Sequence, residues 1–200
     1  RSWQVLSDAN ETALWRDYVA VEMAAAYNTA EEGEPDWQHL YVIAEDADGV
    51  AVVAYSNDEG DTWGQISPSG VTTPFSISSL AADPDTAGRV WVAELQGVWG
   101  TQDNGLFWGL SNQGLESVLD RGYAGRQLGL NDVTLHPSGM LYLGTGVGLY
   151  EKPANDTEWV KSGAEDAPFR LEAVNSILFT DGRPEVLWLN TGAGVFQHEV

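Results

Sequence analysis

The chain has 200 residues, with 30 Asp and Glu against 9 Lys and Arg, and a formal net charge of −21. That excess repels phosphate groups, which excludes nucleic acid and anionic membrane surfaces as partners. With 43% hydrophobic residues the chain can bury a core. With no cysteine it has no disulfide, thiolate zinc site or cysteine nucleophile. Its 22 Gly, 8 Pro and 9 Trp point to many short strands joined by turns. No apolar run reaches the ~18 residues of a membrane helix. The chain opens at Arg1 without a signal-peptide pattern, which reads as a processed, trimmed or partial product.

In chain order, Ser2 to Leu6 reads as an outer strand and Ser7 to Asp17 as a loop. An inner strand is expected over Tyr18 to Ala26. An acidic insertion with Glu31, Glu32, Glu34 and Asp36 follows, read as a solvated loop. The apolar run Leu40 to Ile43 is a second strand, and Ser56-Asn57-Asp58-Glu59-Gly60-Asp61-Thr62-Trp63 is a turn-rich octapeptide. After a loop from Ser67 to Ser76 the order repeats. Ile77 to Ala82, the turn Asp83-Pro84-Asp85, Val90 to Ala93 and Gly97 to Gly100 lead to Thr101-Gln102-Asp103-Asn104-Gly105-Leu106-Phe107-Trp108.

Leu110 to Asn131 reads as a long loop. A third round runs through Asp132 to Leu135, the turn at His136 to Gly139, Leu141 to Leu143 and Gly148 to Glu151, ending in Lys152 to Trp159. That octapeptide has lost its Ser, Asp and Gly but keeps the Trp. After a loop from Lys161 to Ala173, a fourth round runs through Val174 to Phe179, Val186 to Leu189 and Gly194 to Gln197. His198, Glu199 and Val200 fall on the first three positions of a further octapeptide, and Arg1 to Trp3 fit its last three.

The two full octapeptides share the pattern [Ser/Thr]-x-Asp-x-Gly-x-x-Trp, with tryptophans 45 residues apart. Repeats of this length built from four short strands match propeller blades. These residues resemble the Asp-box (BNR) repeat of sialidases, sortilin-type receptors, xyloglucanase-type glycosidases and Ycf48-type assembly factors. The resemblance implies an all-β propeller of four-stranded antiparallel blades, with each box as the hairpin between the third and fourth strands. It further implies that Ser56, Asp58, Gly60, Thr62, Trp63, Thr101, Asp103, Gly105, Trp108 and Trp159 are structural.

One domain is expected over 1–200. Its blades fall at about 18–67, 77–112, 131–162 and 173–200, the last completed by an outer strand at 2–7. Two arrangements fit this phasing: a complete four-bladed ring, or four blades of a longer one.

Alternation of connections around a propeller would place the four long loops on one face. Trp15, Arg16, Phe75, Arg121, Tyr123, Arg126, Phe169 and Arg170 cluster there, a basic and aromatic set in an otherwise acidic chain. Guanidinium groups bind anions bidentately, so this face is the expected site for a protein partner or an anionic or carbohydrate ligand. The same arginines could instead neutralise neighbouring acidic residues.

No catalytic residue is expected. No cofactor is expected either, calcium at the short acidic turn Glu45 to Gly49 being the one metal considered, although a full 12-residue calcium loop is absent. His39, His136 and His198 lack metal-ligand spacing. Gly144 to Gly148 recurs as Asn190 to Gly194 with no helix after it, so it reads as a blade turn rather than a nucleotide loop.

These features favour a non-catalytic binding or assembly propeller, extracytoplasmic, as a possible subunit of a larger complex. The alternative is a xyloglucanase- or sialidase-like glycoside hydrolase, or a fragment of one. Against sialidase chemistry, Arg183-Pro184 stands without the flanking segment that the resemblance requires.

Overall fold

The computed structural model describes residues 15, 17–30, 34–66, 77–94, 96–119, 129–163, 167, 170–180 and 183–200. They form an all-β chain of antiparallel meanders. The first sheet holds β1 (Tyr18–Ala30), β2 (Glu34–Asp46), β3 (Ala51–Ser56) and β4 (Gly64–Gln65) in that order. The second holds β5 (Ile77–Ala82), β6 (Val90–Glu94), β7 (Gly97–Thr101) and β8 (Gly109–Leu110). The third holds β9 (Leu130–Leu135), β10 (Met140–Thr145), β11 (Gly148–Pro153) and β12 (Val160–Lys161). The fourth has three strands among the described residues, β13 (Val174–Thr180), β14 (Arg183–Thr191) and β15 (Gly194–Glu199). The expected outer strand at 2–7 lies outside the described residues.

Two compact units can be distinguished, residues 1–91 with 100–109, and residues 92–99 with 110–200. In the first, β2 pairs with β3 in the register Tyr41 to Tyr55, Val42 to Ala54 and Ile43 to Val53. Residues 40 to 44 and 51 to 54 are all buried. Continuous apolar runs, rather than alternation, are what strands covered on both faces require. Trp15, Val42, Ala44, Val52 and Ala54 form one core cluster, with Tyr18 and Trp63 packed against it. In the second unit Tyr142, Leu149, Val174, Ile177, Leu187 and Leu189 do the same. There β10 runs from Met140 opposite Pro153 to Thr145 opposite Gly148, without a register shift against β11.

Two local expectations change. Glu34 and Asp36, read as part of a solvated loop, lie in β2 opposite Ala30 and Asn28. The hairpin continues past a register shift between Ala26 and Asn28, because paired backbone groups keep their hydrogen bonds there. Glu31 and Glu32 lie outside the described residues. The stretch Leu110 to Asn131 is not all loop: a one-turn helix, α1 (Glu116–Leu119), forms where Leu115 and Val118 are buried.

Candidate functional site

Each full octapeptide forms the turn from the third to the fourth strand of its sheet, and the two share a core set of hydrogen bonds. In the first, the Ser56 hydroxyl donates to Asp58 Oδ1 at 2.7 Å and accepts the Gly60 amide at 2.9 Å. Asp58 Oδ1 also accepts the Thr62 amide at 2.8 Å, and Oδ2 accepts the Thr62 hydroxyl. In the second, the Thr101 hydroxyl donates to Asp103 Oδ1 at 2.9 Å and accepts the Gly105 amide at 2.9 Å. Asp103 Oδ1 accepts the Phe107 amide at 2.9 Å.

The chain must turn left-handed twice in each. Glu59 and Gly60 have φ of 59° and 93°, and Asn104 and Gly105 have 55° and 79°. Glycine takes such angles without a Cβ clash.

These bonds stabilise the ionised carboxylates. Asp58 is held below the usual carboxylate range, chiefly by the Thr62 hydroxyl, then by the Thr62 amide and Ser56. Asp103 is lowered chiefly by the Phe107 amide, then by Thr101. A lowered pKa makes each a weaker base than a free carboxylate.

The tryptophans extend the pattern. Trp108 Nε1 donates to the Ile66 carbonyl at 2.6 Å, and Trp159 Nε1 to the Ser111 carbonyl at 2.7 Å. Ile66 stands three residues after Trp63, and Ser111 three after Trp108. Each indole therefore ties its own turn to the end of the preceding outer strand. Where the third octapeptide has lost its Ser, Lys152 takes over. Its ammonium donates to the Asp156 carbonyl at 2.8 Å and lies 5.2 Å from the Trp159 ring centre. The second turn also differs at its tip. Leu106 and Phe107, 88% and 73% exposed, stand where the first has Asp61 and Thr62.

Sequence reasoning missed two further ties. Glu22 Oε1 on β1 accepts the Leu80 amide at 3.1 Å and the Ser79 hydroxyl at 3.2 Å, both from β5. Asp132 Oδ2 on β9 accepts the Ile177 amide of β13 at 2.6 Å. Aligning the inner strands would have shown the signal, since Glu22, Ser79, Asp132 and Ser176 occupy one position and alternate acid with serine. Two buried tyrosines hold their protons strongly. Burial pushes Tyr41 up to about 12, and its hydroxyl donates to Asn104 Oδ1 while accepting the Gly88 amide. Burial, with Glu151 adding, raises Tyr142 to about 12.

Of the expected loop-face residues, Trp15 is instead in the core, 5% exposed and edge-to-face with Trp63 at 5.2 Å. Its large apolar ring gains more by covering the β2–β3 layer than by facing water. Arg170 Nη1 donates to the Gly163 carbonyl at 2.7 Å, within its own loop. Arg16, Phe75, Arg121, Tyr123, Arg126 and Phe169 lie outside the described residues. At the acidic turn, Asp46 Oδ1 accepts the Asp48 and Val50 amides, so that oxygen already serves the turn. No group of three or more potential metal ligands occurs among the described residues. The glycine-rich stretches are hairpin turns, with Thr145 and Thr191 hydroxyls donating to the Gly148 and Gly194 carbonyls at 2.8 Å.

No protein-family model matches the chain, and no curated protein matches it. Among solved structures it is similar to the GH74 enzyme of Niastella koreensis, at 16% identity and a TM-score of 0.60, over 98% of this chain and 30% of that one. It is also similar to the extracellular domain of BT4673 from B. thetaiotaomicron, at 16% identity and a TM-score of 0.52, over 86% of this chain and 22% of that one. A looser likeness, at 11% identity and a TM-score of 0.45, covers 92% of this chain and 67% of YCF48 from Cyanidioschyzon merolae. The chain thus spans less than a third of the first two structures. The fold they share with it is the β-propeller.

Proposed function

We propose that the chain is an Asp-box propeller that binds a partner or ligand without transforming it, in an extracytoplasmic setting and as part of a larger assembly. One observation supports this reading: Asp58 engages both carboxylate oxygens, and Asp103 its Oδ1 twice, with donors inside their own turns. The repeated residues thereby build a frame and leave recognition to what the frame presents. An acidic, cysteine-free surface supports the setting. The exposed Leu106 and Phe107 support recognition, since a solvent-facing apolar pair lowers its free energy when a partner covers it. The proposal includes Ser2 to Leu6 as the outer strand of the last blade, whose sheet has three described strands where the others have four.

Arg121 and Arg126 are assigned to the recognising face. The test is binding to immobilised sialylated, sulfated and β-glucan oligosaccharides, with turnover measured on the same substrates. Binding without turnover, lost in R121E/R126E, is expected. Binding that survives this charge reversal removes the loop-face assignment. Turnover abolished by replacing a single carboxylate replaces the proposal with a glycoside hydrolase.

A further inference from the structure

The inner strand of the first sheet borders a groove of about 260 Å³, with Trp15, Val21, Glu22, Met23, Val42 and Trp63 among its lining residues. The two indoles meet edge to face, their ring centres 5.2 Å apart and their planes at 81°. Two aromatic walls therefore stand at nearly a right angle, Trp15 buried and Trp63 half-buried. The face of an aromatic ring carries the negative part of its quadrupole and attracts a cation. Val21 and Met23, 58% and 67% exposed, form an apolar rim open to solvent, and the Met23 thioether is polarisable.

Among the described residues that line this groove, Glu22 is the one with a formal charge, and the charge is negative. Glu22 Oε1 accepts the Leu80 amide at 3.1 Å and the Ser79 hydroxyl at 3.2 Å, so the carboxylate is positioned before any ligand arrives. The net charge of −21 also concentrates cations around the chain. A hard metal ion does not suit the lining, because it needs several oxygen ligands and the rest of the wall is apolar or aromatic. A primary ammonium suits it poorly, because that group is strongly hydrated. A cation sheathed in methyl groups meets both demands. Its methyls bury against Val21, Met23 and Val42, while its charge faces the indoles and Glu22. The groove is also smaller than the roughly 300–1,000 Å³ pockets that take drug-sized ligands, so the solute is small. We propose that this groove binds a small, free quaternary ammonium solute. The inference goes beyond the proposed function and uses none of the residues assigned to recognition there.

The test is titration of the ¹⁵N-tryptophan-labelled chain with choline at low salt, read at the indole N–H resonances, with Trp63 assigned by W63F. The comparison ligand is the neutral isostere of choline in which a carbon replaces the nitrogen. Choline should shift the Trp63 resonance and leave Trp108 and Trp159 in place. It should bind roughly 3- to 30-fold more tightly than the isostere, the range a cation–π contact controls. E22Q keeps the acceptor for Leu80 and Ser79 but removes the charge. It should weaken choline binding roughly two- to fivefold and leave the isostere unaffected. If E22Q does not fold, M23K, which sets a positive charge on the exposed rim, replaces it with the same expectation for choline.

Equal affinity for choline and its isostere overturns the assignment of a cation and leaves an apolar groove. An unmoved Trp63 resonance, or choline affinity unchanged in the variant, overturns the site. Either result leaves the loop-face assignment to its own test.

Discussion

Replacing Gly105 by Ala tests the two-part demand made by the octapeptide turn. Gly105 has φ of +79°, where an L-residue costs about 1–2 kcal/mol. A Cβ there would also stand 2.6 Å from both Cβ and the carbonyl oxygen of Ile66, and 3.0 Å from Trp108 Nε1. The carbonyl is backbone and cannot swing aside, and it is the acceptor of the Trp108 indole. Overpacking of this kind costs about 1–3 kcal/mol, and a displaced buried hydrogen bond about 1–3 more. Because these effects overlap, G105A should lose about 3–5 kcal/mol.

Gly139 is the control. Its φ is +82°, but nothing lies within 4 Å of its added Cβ, so G139A should lose only the about 1–2 kcal/mol of conformational strain. At about 2–4 °C per kcal/mol for a chain of this size, the two variants should be distinguishable by thermal unfolding followed by tryptophan fluorescence. If G105A melts no lower than G139A, the close seating of the turn on Ile66 is wrong.

Three further outcomes are expected. Glu59 sits at φ 59° where the second octapeptide has Asn104, so E59N should stabilise the chain by about 0.5–1 kcal/mol in a denaturant titration. Asp58 and Asp103 have folded pKa values below their unfolded ones, so their contribution is complete above the unfolded value near ~4 and is lost as pH falls through the folded values. The gap in melting temperature between wild type and D58A/D103A should therefore be full at pH 7 and shrink below about pH 4. Lys152→Met keeps the bulk but leaves the Asp156 carbonyl without its donor and the Trp159 face without its cation. Its unfolding midpoint should fall by the equivalent of about 1–3 kcal/mol, and an unchanged midpoint would refute the assigned contact.

The strands were largely legible in the residues, because a central strand covered on both faces must read as an unbroken apolar run. Leu40 to Ile43, Val90 to Ala93 and Leu141 to Leu143 all do so and all lie in second strands. The two full octapeptides were legible as turns, because Ser/Thr, Asp and Gly at those offsets have one local use. Three things were hidden. The burial of Trp15 depends on a layer formed by residues far along the chain, which no local pattern announces. Helix α1 is too short to show a period and exists because Leu115 and Val118 find cover. The ties made by Glu22 and Asp132 run between strands more than 40 residues apart, and an acid in an inner strand looks, in sequence, like any solvated charge.

The alternation of those inner-strand groups bears on how such a chain can grow or shrink. An acid on one inner strand meets the amide that follows a serine on the next, once within each compact unit, so the two sheets joined by each tie are matched to each other. Inserting a single sheet between such partners would part the acid from the strand that carries its serine. An engineer grafting repeats, or a gene duplicating them, would be expected to succeed in even steps.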